Sequence, residues 1–119
     1  MNLYSYISRL ETMLRSRQDI QVEMLTVRWT ENGAKFRSEL RFYDNSRLSI
    51  FDLAKQVGFH YQDADGNLIF RYDNAPHHPH LATFPDHKHA GNGVIEAEPP
   101  DLNNVLTEID RIIYNEERV

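Results

Sequence analysis

The tetrapeptide Asp63-Ala64-Asp65-Gly66 limits the fold of this chain more than any other stretch. Asp and Gly both tolerate the backbone of a tight hairpin turn. On one side Val57, Phe59 and Tyr61 alternate with Gly58, His60 and Gln62. On the other, Leu68, Phe70 and Tyr72 alternate with Ile69, Arg71 and Asp73. Period-two runs flanking such a turn predict two antiparallel strands. Asn32-Gly33 repeats the signal upstream: it joins a strand running from Ile20 to about Thr30 to one carrying Phe36, Leu40 and Phe42. Asp44-Asn45-Ser46 then turns into a third strand with Leu48, Ile50 and Leu53.

Both ends of the chain change period. Leu3, Tyr6, Ile7, Leu10, Met13 and Leu14 recur at helical spacing, which predicts an amphipathic helix over about residues 2–16. Near the C-terminus Pro99-Pro100 forbids regular structure and Asp101 can cap a helix. Leu102, Val105, Leu106, Ile109, Ile112 and Ile113 would form its apolar face. The expected fold is α+β: one domain over residues 1–119, with an antiparallel meander of four to six strands and both helices packed on it. A chain of 119 residues is the size of one such unit.

The strand ending at Asp73 runs through Asn74-Ala75-Pro76 into residues 77–89, HHPHLATFPDHKH, which hold five of the six histidines. Their proline content predicts a shaped loop rather than a helix or central strand. Ala90-Gly91-Asn92-Gly93 would be its exit, and Val94 to Ala97 a short edge strand. Imidazole titrates nearest neutral pH and is the commonest nitrogen ligand for transition metals, so three readings arise. The histidines could ligate a divalent metal such as zinc, with His78, His80 and Asp86 among the candidate ligands. They could act without a cofactor as general acid and base on an RNA phosphodiester, with Arg71 or Lys88 neutralising charge on phosphorus. Or the loop could be a structural clasp. Arg71 and Asp73, two apart on one strand, share a face, and His60 joins them if the hairpin register allows.

Composition removes other classes. The chain has no cysteine, so disulfides, thiolate zinc sites and thiol nucleophiles are excluded. A net charge of −5 argues against a dedicated duplex-DNA binder. Lys35, Arg37, Glu39 and Arg41 nevertheless alternate along one strand. They form either a solvated face with a cross-strand ion pair or a surface that steers a phosphate-bearing substrate or acidic partner. No apolar run reaches membrane-spanning length and the N-terminus lacks a signal-peptide core, so a soluble cytoplasmic protein is expected.

Residues 70–109 resemble the TumE-like toxins of bacterial and archaeal toxin–antitoxin modules. The marks are a hairpin leading to Asp73-Asn74-Ala75-Pro76-His77, then Phe84-Pro85-Asp86-His87-Lys88-His89, then a C-terminal helix. Tyr61, Gly66 and Arg71 also fit, while residues 1–56 agree only in the order of helix then strands. The resemblance implies a growth-inhibiting toxin of a type II pair, held inactive by a cognate helix-turn-helix antitoxin. Ribonuclease action is the class it suggests by analogy. Arg71, Asp73, Asn74, His77, His87, Lys88 and His89 are then the candidate catalytic residues. A non-catalytic protein- or metal-binding module is the alternative, and a homodimer is compatible with either.

Overall fold

The structure, a computed structural model, describes residues 2–114. Helix α1 (Leu3–Ser16) starts where the Asn2 side chain accepts the Ser5 N–H at 2.8 Å. Helix α2 (Leu102–Ile113) starts at Asp101, whose carboxylate accepts the Asn104 N–H at 2.8 Å while the Asn104 side chain accepts the Asp101 N–H. These caps satisfy donors that a helix start leaves unpaired. Between the helices run β1 (Ile20–Thr30), β2 (Gly33–Phe42), β3 (Arg47–Asp52), β4 (Val57–Gln62), β5 (Leu68–Asp73), β6 (His87–Ala90) and β7 (Gly93–Glu96). Every strand pairs antiparallel with the next, so sheet order follows chain order. The α+β expectation holds, but the meander has seven strands rather than four to six.

The unexpected strand is β6. The prolines that argued for a loop, at 76, 79 and 85, all precede His87, and from there every residue has an N–H to donate. The segment therefore pairs with β5, placing His87 opposite Asp73 and His89 opposite Arg71. Residues 74–86 remain a loop, and His87 to His89 do not belong to it. Smaller departures occur at element margins. Leu53 lies beyond the end of β3, and Leu14 and Ile112 sit at the exposed edges of their helical stripes.

Residues paired across strands share a face, and the two faces of this sheet differ in kind. Phe36, Leu40, Leu48, Ile50, Phe59, Tyr61 and Phe70 lie on one face, buried beneath both helices. Each such side chain contributes about 1.5–3 kcal/mol by leaving water. Polar groups on this face are matched. The Tyr6 hydroxyl donates to Ser38 Oγ at 2.8 Å while its ring stacks on Phe36. Arg17 bridges Asp19 and Asp110, tying the end of α1 to α2. The other face carries Arg37, Phe51, His60, Arg71, Asp73, His87 and His89. Among the described residues no helix is long and apolar enough to cross a membrane.

Candidate functional site

The site is built on three adjacent strands of the helix-free face. The Asp63–Gly66 turn joins β4 to β5, and a bulge beside it, between Tyr61 and Gln62, shifts the register by one residue, which places His60 opposite Arg71 and Gly58 opposite Asp73. Strand β6 completes two rows: Gly58, Asp73 and His87 in one, His60, Arg71 and His89 in the next. Gly58 is required here. A Cβ at that position would lie 2.0 Å from the Tyr72 carbonyl oxygen and 3.0 Å from the tip of the Phe51 ring.

Asp73 is the hub. Its side chain is 4% exposed, and that of His87 is 1% exposed. Oδ1 accepts the Ala75 N–H at 2.9 Å and stands 3.0 Å from His87 Nε2, while Oδ2 accepts Arg71 Nε–H at 2.6 Å. Burial works against ionisation of this carboxyl. The Ala75 N–H and the Arg71 and His87 charges outweigh it and hold the pKa below the ordinary aspartate value.

His87 Nδ1 faces the Pro85 carbonyl at 2.9 Å, so that nitrogen carries a proton. Nε2 points at Asp73 and also at His89 Nε2, 3.1 Å away. A bare Nε2 would set its lone pair against the Asp73 carboxylate, whichever tautomer His89 adopts. The arrangement is satisfied when a second proton, or a metal cation, occupies that space. His89 is more accessible, with its side chain 31% exposed. Burial first, then the neighbouring His87 charge, lowers its pKa, which favours the neutral ring.

The loop supplies His78, whose ring centre lies 4.8 Å from that of His87 and 5.7 Å from that of His89. Its pKa is also lowered, by burial and then by His87, His80 and His77. Candidate ligand nitrogens of His78, His87 and His89 all fall within 4.8 Å of one another. Arg71 Nη1 donates to His60 Nδ1 at 3.0 Å, and its guanidinium lies 4.9 Å from the centre of the Phe51 ring. His60 is pushed toward its neutral form by burial and by the Arg71 and Arg37 charges.

Of the candidates read from sequence, Arg71, Asp73, His87 and His89 come together as one constellation, and His78 joins them. Lys88 does not. Period two turns it to the helix-covered face, where its ammonium pairs with Glu108 Oε2 at 2.5 Å beside Tyr72. Asn74 holds the backbone instead. Its side-chain oxygen accepts the Val57 N–H at 2.9 Å, closing the start of β4. His77 and His80 are exposed; the His77 N–H closes a turn onto Ala75, and the His80 ring lies 6.1 Å from His78. Asp86 shares the lining of a cavity of about 90 Å³ with Asp73 and His87, but among the described residues its carboxylate accepts no hydrogen bond from an imidazole. Gly58 and Phe51 escape a search for reactive groups because neither is polar. No sequence signal marks Gly58, since its place opposite Asp73 depends on the bulge beside the turn.

A family model described as toxin TumE matches residues 9–116. No curated protein and no solved structure matches the chain. The match covers nearly the whole sequence, so the chain belongs to the TumE toxin family, and a toxin of this kind implies an antitoxin partner.

Proposed function

We propose that this TumE-family toxin is the effector of a type II pair, one unit over residues 1–119, that cleaves RNA in the cytoplasm until a helix-turn-helix antitoxin binds it. The observation that carries this reading is the contact of His87 Nε2 with both Asp73 and His89, beside the Arg71 guanidinium. The buried His87 ring thus stands within hydrogen-bond distance of both a buried carboxylate and a more accessible imidazole, a route along which a proton can pass. His78 and His89 are the rings within reach of substrate, 5.7 Å apart. His78 takes the proton of the 2′-hydroxyl as its oxygen bonds to phosphorus. His89, supplied through His87, protonates the 5′-oxygen as the P–O5′ bond breaks. Arg71 offsets the charge gathering on the phosphoryl oxygens. His87 and Asp73 act as positioning residues, since neither reaches the surface.

The convergence of three imidazole nitrogens within 4.8 Å supports a second reading, a divalent metal site. The Pro85 carbonyl would fix the His87 tautomer with Nε2 as ligand, as outer-sphere partners do for metal-bound histidine. Expression without the antitoxin, with total RNA followed on gels, tests both. Replacing His89 or His78 with Ala should lower cleavage about 10²–10⁴-fold in a folded protein. Intact RNA and arrested growth would refute the ribonuclease. Cleavage lost to a chelator and restored by one divalent metal would select the metal reading.

A further inference from the structure

We infer that the helix-free face carries a binding path for single-stranded RNA, one strand wide, leading from a cationic groove at the β1–β2 ribbon to the histidine cluster. The inference rests on the reading of that cluster as an RNA-cleaving site. The groove lies between β1–β2 and the turn after β3. Arg28, Lys35, Arg37 and Lys55 line it, and no carboxylate does. Among the described residues none of the four is in an ion pair. Every other Lys or Arg on the seven strands is paired: Arg41 and Arg47 with Glu23, Arg71 with Asp73, Lys88 with Glu108. In a chain of net charge −5, cations that could be neutralised by pairing are here left free and gathered in one place.

Register links the groove to the site. Arg37 pairs with Phe51, Phe51 with Gly58, Gly58 with Asp73, and Asp73 with His87, so one sheet row runs from the groove to the buried pair. Arg37 and Arg71 also line a shared depression with His60, Ser49 and Gln62. Four strand steps separate Arg37 from His87, about 19 Å at the usual strand spacing. That distance suits a few nucleotides of an extended strand, the low end of site sizes for sheet-based single-strand binders, roughly four. Width argues against a duplex. Glu39 lies two residues from Arg37 on the same face of β2, so a second phosphate strand alongside would meet a carboxylate.

The test is binding of a non-cleavable 2′-O-methyl oligouridylate, roughly twelve nucleotides long, to the wild-type chain and to an Arg28→Gln, Arg37→Gln, Lys55→Gln variant. Cleavage of long RNA and of a dinucleotide is measured in parallel. Each phosphate contact contributes about 0.7 to the salt slope of a single strand, or about 5-fold in affinity at 0.1 M salt. The variant should therefore bind about 10²-fold more weakly, with a slope flatter by about two. It should keep dinucleotide cleavage while losing cleavage of long RNA, and Arg37→Lys should retain binding. Equal binding by wild type and variant, no binding by wild type, or tighter binding of a duplex of equal length overturns the path. So does a variant that binds RNA normally but no longer binds antitoxin, which would assign the groove to an acidic protein segment. Failure of the wild type to cleave any RNA refutes the reading of the histidine cluster, and the binding arm still decides the path.

Discussion

Replacing Asp73 with Asn changes one oxygen to an amide nitrogen at the point where three donors converge. Oδ1 serves Ala75 and His87, and Oδ2 serves Arg71 at 2.6 Å. In either amide orientation an NH₂ group now faces a donor, and Arg71 loses its counter-charge. Removing one partner of a buried ion pair costs about 3–5 kcal/mol. Arg71 is about a quarter exposed and can turn toward water, which brings the expectation to about 3 kcal/mol. For a domain of this size that is a fall in Tm of about 12 °C, and the protein should remain folded at room temperature. The pH dependence makes the test specific. Because folding lowers the pKa of Asp73, its contribution is fully present above the unfolded carboxyl value of about 3.9. It is lost as pH falls through the lower folded value. Urea titrations of wild type and Asp73→Asn should differ by about 3 kcal/mol at pH 7, and the difference should shrink below about pH 4. A neutral-pH difference under about 0.5 kcal/mol, or one that stays constant in acid, would refute the assignment of Asp73 as the buried hub.

Lys88→Gln should leave toxicity and RNA cleavage intact, because Lys88 faces the helices. It should cost about 1 kcal/mol or less, since Glu108 keeps the Tyr72 hydroxyl; loss of cleavage by a variant as stable as wild type would return Lys88 to the site. His60, His78 and His89 all have pKa values lowered on folding, so the unfolded chain binds their protons more tightly. They cost nothing above the unfolded value of about 6.5, and native stability should fall as pH drops through that value toward the lower folded ones. A His78→Ala, His89→Ala double variant should show a flatter decline in Tm between neutral and mildly acid pH, and an unchanged slope would contradict these environments.

Residues alone revealed whatever local chemistry decides. The Asp65-Gly66 turn located the β4–β5 hairpin, and period two put Arg71 and Asp73 on one face. Whether His60 joined them stayed open, because it depends on the bulge beside the turn. The Asp101 cap and both helical stripes were equally local. Strand β6 was not. Its pairing partner β5 lies across a thirteen-residue loop whose prolines dominate any nearby window, and pairing at that separation is decided by tertiary contact. The error propagated to the site. As a loop, residues 87–89 could all converge; as a strand they must split, His87 and His89 to one face and Lys88 to the other. Asn74 is a different case: its side chain closes the start of β4, and a motif residue that does so looks the same in sequence as one that touches substrate.

That split also accounts for how a small chain can carry an ionic site at all. Burying a carboxylate and an imidazole together costs several kcal/mol unless geometry is held closely. A free loop would have to order itself to do so, at about 1–2 kcal/mol per residue. Here the cost of ordering is shared with the sheet. The backbone bonds that pair β6 with β5 hold His87 over Asp73, and Lys88, on the reverse side of the same strand, fastens β6 to α2 through Glu108. The apolar face thus supplies the stability, and the strand transmits it to the polar face as fixed positions of Asp73, His87 and His89. His78 alone of the cluster lies outside the paired strands, so rearrangement on substrate or antitoxin binding should be centred on its loop and not on β6.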